Sequence, residues 1–169
     1  MREITLDDLP ELRRIYEQKG ITEYLEPLYG EEEEIAYTKA YIEKRYRFFE
    51  YGMWVVFDKE TGSMIGRAGL ENRDVAVRIG DEGQKVYESQ VELGYMIAPS
   101  YQRQGYATEV CHAILQYAKE ELEIPFINAF IHHDNIASIR LAEKMNFTLL
   151  EKTEVVDQDS AMVRYICTL

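Results

Sequence analysis

Long apolar runs are missing from this chain of 169 residues. No stretch approaches the ~18 residues needed to cross a bilayer, so a membrane span is not expected. Nothing at the N-terminus reads as a secretory leader, because Met1-Arg2-Glu3 is soon followed by Asp7 and Asp8. The expected location is the cytoplasm. Cysteine is scarce: Cys111 and Cys167 sit in apolar stretches without metal-ligand spacing and read as buried, reduced thiols. The three histidines lack a zinc-type pattern, so no metal is expected. Positive charge is also in short supply, with 19 basic against 31 acidic residues and a net charge of −12. Such a surface repels phosphate backbones and anionic lipid, which excludes nucleic acid and membranes as expected partners. It attracts cationic small molecules or basic peptides. There is no internal repeat, low-complexity linker or visible domain boundary. The chain reads as one domain over residues 1–169, long enough to bury about 70% of its unfolded surface.

What is present is an α/β pattern. Thr5 to Lys19 reads as a helix, with Thr5 as N-cap, Pro10 near its start and Gly20 closing it. Ile21–Gly30 reads as a loop. Glu31–Glu34 opens a second helix, its four glutamates on a solvated face at the positive dipole end, with a stripe through Ile35, Ile42, Tyr46 and Phe49. Met53–Phe57 and Ser63–Leu70 form a hairpin around Asp58–Gly62. Two further polar strands flank Gly80–Gly83, and Val91–Ile97 is a strand halted by Pro99. Ala107, Val110, Cys111, Ile114, Leu115, Ala118 and Leu122 step by three and four, the strongest helical signal in the chain. Phe126–Ile131 is a strand, Ile136–Met145 a helix, and Phe147–Val156 with Ala161–Cys167 a closing hairpin. That order predicts an α/β (α+β) fold with a mixed, mostly antiparallel central sheet and helices on both faces.

The junction Met96–Thr108 carries the chemistry. A buried strand ends at Pro99, a polar turn follows, and a helix begins near Gly105. A helix start leaves about four N–H groups unpaired and carries roughly half a positive charge, which makes an anion site from backbone alone. Gly105 lets a phosphate approach closely, Ala107 is small for the same reason, and Arg103 adds a formal charge. An ordinary glycine loop before a helix fits the spacing equally well.

Gln102-x-x-Gly105-x-Ala107 resembles the Gln/Arg-x-x-Gly-x-Gly/Ala signature of the GNAT acetyltransferase superfamily. Val91–Ile97 looks like that family's fourth strand, and Asp134–Phe147 is similar to its second cofactor-side helix. The layout Asn-x-x-Ser-x-x-x-x-x-Lys-x-x-Phe most resembles the branch containing ribosomal-protein and polyamine N-acetyltransferases. The resemblance covers nearly the whole chain in order. It implies acetyl-CoA as the acyl donor and a splay between the fourth and fifth strands. Backbone amides of Arg103, Gln104, Gly105, Tyr106, Ala107 and Thr108 would hold the pyrophosphate. Backbone groups of Met96, Ile97 and Ala98 would pair with the pantetheine arm, Asn135 would bond its amide, and Ser138 would assist. Asn135 also reads as a helix N-cap. A backbone N–H near Ile97 would stabilise the developing oxyanion.

Two departures stand out. Asn146 occupies the family's usual glycine position, which asparagine tolerates. Ala142 stands where many members place the tyrosine that protonates the departing thiolate, so that role does not carry over.

Amine acylation needs a neutral amine. At pH 7 a lysine-like ammonium costs roughly 4–5 kcal/mol to deprotonate and an α-amine about 1. Glu92, on the strand the family uses for its base, is the expected general base; the alternative is an exposed glutamate on an alternating strand. Tyr24, Tyr29, Glu71, Asn72 and His132, with His133 beside it, fall in segments that would wall the acceptor. The implied reaction is direct attack by a primary amine, either a protein N-terminus or a small cationic amine. The competing reading is a catalytically silent acyl-CoA-binding module acting as sensor or partner-binding domain. Ala142 permits that reading, and the intact turn with Glu92 argues against it. Only Met1–Ile4 is available for the family's first strand, and the edge this exposes favours pairing with a second copy as a homodimer.

Overall fold

The computed structural model describes residues 1–79, 84–150 and 161–169. Its helices are α1 (Leu9–Tyr16), α2 (Glu31–Tyr41), α3 (Arg47–Phe49), α4 (Tyr106–Glu120) and α5 (Ile136–Lys144). Its strands are β1 (Met53–Phe57), β2 (Met64–Ile79), β3 (Gln84–Ile97), β4 (Phe126–His132), β5 (Thr148–Leu149) and β6 (Met162–Thr168). They form a mostly antiparallel sheet in the order β1-β2-β3-β4-β6-β5, with β3 and β4 parallel. The mixed α/β fold expected from the sequence is therefore present.

The chain forms two compact units, and β2, β3 and α4 each run through both. The first unit comprises Met1–Leu70 and Gly94–Ile114. Leu12, Ile15 and Val55 are the driest members of one core cluster in it, joined by Leu9, Tyr16, Tyr46, Met64 and Met96. Burying each large apolar side chain contributes about 1.5–3 kcal/mol. The N-terminal helix begins later than Thr5: a short 3-10 turn (Leu6–Asp8) precedes α1, with Pro10 in the first turn where its missing N–H is harmless. The Asp8 carboxylate reaches back to the Thr5 N–H at 2.7 Å and forks onto Arg2 at 2.6 Å. Of the expected first strand only one antiparallel bridge exists, Arg2↔Val55.

The second helix departs from its expected stripe. After α2 comes a π turn, Ile42–Tyr46, whose wider coil shifts the phase of every later residue. Glu34, Thr38 and Tyr46 are buried, while Ile35 and Ile42 are half-buried. Glu34 is thus not part of a solvated face; its carboxylate accepts the Tyr29 N–H at 3.0 Å. Tyr41 and Tyr46 explain why aromatics recur here. The Tyr41 hydroxyl accepts the Met53 N–H at 2.7 Å, and the Tyr46 hydroxyl donates to the Met53 carbonyl at 2.6 Å. Those phenols close the start of β1.

The second unit comprises Glu71–Leu93 and Leu115–Leu169. The two polar strands expected beside Gly80–Gly83 are not separate elements but the outer halves of β2 and β3. β4 pairs with β6 along its whole length, from Phe126↔Thr168 to His132↔Met162. Its register with β3 is the single pair Glu92↔Asn128. Because the N-terminal strand is reduced to a bridge, β3 and β4 correspond to the expected fourth and fifth strands. α5 ends as expected despite the missing glycine. Asn146 takes φ 65°, its N–H bonds the Glu143 carbonyl, and the Phe147 N–H bonds the Ala142 carbonyl. Much of the expected closing hairpin, 151–160, lies outside the described residues.

Candidate active site

In the first unit, β3 ends at Ile97 and a 3-10 turn (Pro99–Tyr101) leads into the loop before α4. Arg103 and Gly105 both adopt left-handed backbone, with φ 60° and 93°. These two reversals turn the chain from the strand direction into the helix. At Gly105 a Cβ would meet nothing within 4 Å, so the space above it is open. The first bond of α4 runs from the Glu109 N–H to the Gly105 carbonyl. Tyr106, Ala107 and Thr108 at the helix start therefore present N–H groups that the helix itself cannot satisfy. An exposed loop of this shape, with Arg103 beside it, fits an anionic diphosphate.

Two contacts hold the turn in place, and both escaped the sequence reading. The Gln102 amide donates to the Ile97 carbonyl at 2.8 Å, tying the turn to the strand end. The Tyr106 hydroxyl donates to Asp58 Oδ2 at 2.5 Å, tying the first residue of α4 to the β1–β2 turn. That bond holds the Asp58 carboxyl below its usual range and pushes the Tyr106 phenol up to about 12. Asp58 also accepts the Thr61 N–H and hydroxyl, both at 2.7 Å.

Backbone alternation separates Met96, Ile97 and Ala98. The Ala98 N–H donates to the Ile65 carbonyl at 2.7 Å, and the Met96 carbonyl lies where a Cβ on Gly66 would sit, 2.0 Å away. Both residues direct these groups toward β2. Ile97 alternates to the other side, where its carbonyl already accepts Gln102. Of the three, its N–H faces away from β2 and suits an added chain. Tyr24 and Tyr29 lie in the same unit, Tyr24 half-buried and Tyr29 packed at 5.5 Å on Tyr37.

In the second unit Glu92 is neither fully out nor fully in, its side chain 21% exposed. Its Oε2 accepts Arg73 Nη1 at 3.2 Å. Burial is the largest influence on its carboxyl and pushes it above the ordinary value; Arg73 opposes this and Glu71 adds to it. Arg73 is itself stacked 4.4 Å over the Phe130 ring. Beneath lies a network with no sequence signature. Asn128, fully buried and registered with Glu92, donates to Gln90 Oε1 and the Val91 carbonyl at 3.1 Å. Arg164, also buried, donates to Asn128 Oδ1 at 2.8 Å and to Gln90. Glu71, Asn72 and Arg73 share this unit's half of β2 with Glu92's half of β3; Asn72 donates to Ser89 at 3.3 Å.

Asn135 caps α5: its Oδ1 accepts the Ser138 N–H at 3.1 Å, leaving the amide NH2 for any ligand. Ala142 is buried in the same helix and offers no proton. His132 ends β4, with Nδ1 accepting the Asp134 N–H at 3.2 Å. His132, His133 and Asp134 are consecutive in the chain, and their ligand-type atoms lie within 4.8 Å of one another. His133 and Asp134 are exposed and bond each other at 2.8 Å.

Residues 1–148 match the family model described as an acetyltransferase (GNAT) domain. Among curated relatives, the uncharacterized protein YkkB of Bacillus subtilis (strain 168) is 36% identical over 93 residues, 55% of this chain and 48% of its own length. The chain spans about half the length of the curated relatives it matches. An acetyltransferase from Agrobacterium tumefaciens str. C58 superimposes with a TM-score of 0.76 at 21% identity, covering 99% of this chain and 89% of that one. RimL, a ribosomal L7/L12 alpha-N-protein acetyltransferase solved with coenzyme A, gives a TM-score of 0.75 at 19% identity, with 99% and 92% covered. At these identities the solved structures bear on the fold alone.

Proposed function

Because the chain belongs to the GNAT acetyltransferase domain family, we propose that it transfers an acetyl group from acetyl-CoA to a primary amine. The observation that carries this reading is the Gln102–Thr108 turn. Its two left-handed residues, open Gly105 and unsatisfied helix-start amides form a backbone cradle for a diphosphate. Acetyl-CoA, when bound, supplies a thioester carbonyl open to attack and a thiolate as leaving group. Arg103 to Thr108 hold its diphosphate, the Ile97 N–H and the Asn135 NH2 meet its pantetheine arm, and Ser138 supports Asn135.

Glu92 acts as the general base. A carboxyl raised by burial lies closer to neutral pH and takes a proton from an ammonium more readily than an ordinary one. Asn128, in register with Glu92, is locked by Gln90 and Arg164, which keeps this stretch of sheet in one arrangement. The acceptor we infer is an α-amine, such as a peptide N-terminus. It needs about 1 kcal/mol for deprotonation rather than 4–5, and Arg73 beside Glu92 disfavours a second positive charge on the acceptor. Glu71, Asn72 and His132 flank the acceptor, with Tyr24 and Tyr29 as further wall residues. The chain acts in the cytoplasm as a single-domain enzyme, and as a homodimer.

A thiol-release assay with acetyl-CoA across free-amine peptides, amino compounds and polyamines tests the reading. Turnover is expected on peptides with a free α-amine and none on the same peptides blocked at that amine. Calorimetric binding of CoA without turnover on any acceptor would identify a silent acyl-CoA-binding module instead.

A further inference from the structure

The second unit holds a charged cluster with more in it than a base requires. Glu71 and Arg73 lie on β2, Glu92 on β3 and Phe130 on β4. Strand alternation puts Glu71 and Arg73 on one face of β2. The bond from Arg73 to Glu92 and its contact with Phe130 show that these two residues share that face. Arg73 stands 4.4 Å over the Phe130 ring, yet its side chain is 46% exposed. Among the described residues, Glu92 engages one of its five N–H donors, through a single 3.2 Å bond and not a fork. Glu92 Oε1 stands outside that bond. As a stabilising pair, an exposed arrangement of this kind contributes little. As the neighbour of a base it is counterproductive, because the guanidinium pulls down the carboxyl that burial raises. A cation held in place by a ring, and working against the group beside it, calls for another occupant.

We propose that the acceptor carries a carboxylate beside its α-amine, and that Arg73 binds this carboxylate while the amine meets Glu92. The inference rests on acetyl transfer with Glu92 as base, and it narrows the substrate class of that same site. The charge pattern complements a zwitterion. Glu92, with Glu71 close enough to act on it, faces the ammonium, and the exposed guanidinium takes the anion. An α-amine and a carboxylate one or two carbons away lie close enough together to reach two groups that already touch. A guanidinium offers a planar fork to both carboxylate oxygens, and the Phe130 ring has already restricted its motion. A chain with net charge −12 repels anions over most of its surface, so an acceptor bearing a carboxylate needs a fixed cation at the site. Occupation also removes the opposition within the pair. A carboxylate on Arg73 offsets the charge that pulls Glu92 down, so the base strengthens as the matching acceptor binds. A polyamine has no group for Arg73.

The test compares acceptors that differ at the carboxylate alone, with thiol release from acetyl-CoA as the assay. Alanine is set against alaninamide, and an amidated tripeptide beginning with aspartate against the same peptide beginning with asparagine. The wild type is expected to favour the carboxylate member of at least one pair by about ten- to hundredfold in kcat/KM, mainly through KM. The pair that responds says whether the anion is the α-carboxylate of a free amino acid or the first side chain of a peptide. Chemistry alone predicts the reverse preference, because a nearby carboxylate raises the amine pKa and leaves less of it neutral. Arg73→Gln is expected to bring the ratio close to one, and Arg73→Lys to keep part of it. Circular dichroism checks that both variants fold. A binding arm on the wild type needs neither turnover nor a variant. The NMR resonance of the Arg73 Nε–H should move with N-acetylaspartate, which has carboxylates and no amine, and stay in place with N-acetylasparaginamide. Equal turnover within both pairs overturns the proposal and leaves acetyl transfer standing. So does a preference that survives Arg73→Gln, or a variant that slows both members of a pair equally, since Arg73 would then only support Glu92. If no acceptor turns over, acetyl transfer has failed, and the Arg73 resonance decides the carboxylate site: movement upholds it and a fixed resonance overturns it.

Discussion

Gly105→Ala separates what the turn does for the fold from what it does for a ligand. Gly105 sits at φ 93°, and the added methyl would meet no atom within 4 Å. No clash contributes, so the stability cost is backbone strain alone, about 1–2 kcal/mol. For a chain of this size that lowers the melting temperature by about 2–8 °C. The effect on CoA is separate. The methyl projects into the open space above the cradle, and relieving the strain tilts the neighbouring amides away. Loss of one charge-assisted hydrogen bond is worth about 1.5–3 kcal/mol, which raises the CoA dissociation constant about tenfold to a hundredfold. The assays are thermal melting by circular dichroism and titration calorimetry with CoA on the same preparations. A CoA affinity unchanged within measurement error, with the melting temperature lowered as expected, refutes the assignment of the diphosphate to this turn.

Gly66→Ala should show the opposite balance, since its methyl would stand 2.0 Å from the Met96 carbonyl. Forcing β2 from β3 there costs about 3 kcal/mol, and thermal melting should fall by about 6–12 °C. Glu92→Gln should lower kcat by about a hundredfold or more and remove the acidic limb of the rate–pH profile, which in the wild type lies above the ordinary carboxylate range. The folded chain holds the Glu92 proton more tightly than the unfolded chain. Stability therefore falls as pH rises from the unfolded value through the raised one, and denaturant titrations of Glu92→Gln should lack that component. Tyr106→Phe removes the bond that lowers Asp58, so NMR titration should find that carboxyl moved up toward its usual range. Weaker CoA binding should accompany it.

Local patterns in the sequence survive into the structure where one element meets one environment. α4 was legible because Val110, Cys111, Ile114, Leu115 and Ala118 all face inward at regular helical steps. The turn before it was legible because its residues are contiguous. α2 departs from its expected stripe because Glu34 is buried where its carboxylate accepts the Tyr29 N–H and Ile35 and Ile42 are only half-buried, while the π turn shifts the phase of the residues after it. The long arms of β2 and β3 read as extra strands because Glu71, Asn72, Arg73 and Asp74 hide the alternation that marks a half-buried strand. The Arg73–Glu92 pair joins residues 19 apart, and the Arg164–Gln90 bond joins residues 74 apart. No short-range pattern encodes such partners; only the sheet register does.

The two thiols have a use unrelated to chemistry at the site. Cys111 is fully buried on α4 in the first unit, its thiol pushed up to about 12 by burial, and Cys167 is buried on β6 in the second. The thiolate is the species that reacts, so neither is modified at neutral pH until its surroundings open. Alkylation rates at the two positions then time two separate events, the opening of each unit. A ligand seated at the start of α4 should slow the Cys111 clock, and the Cys167 clock reveals whether the second unit opens with the first or on its own.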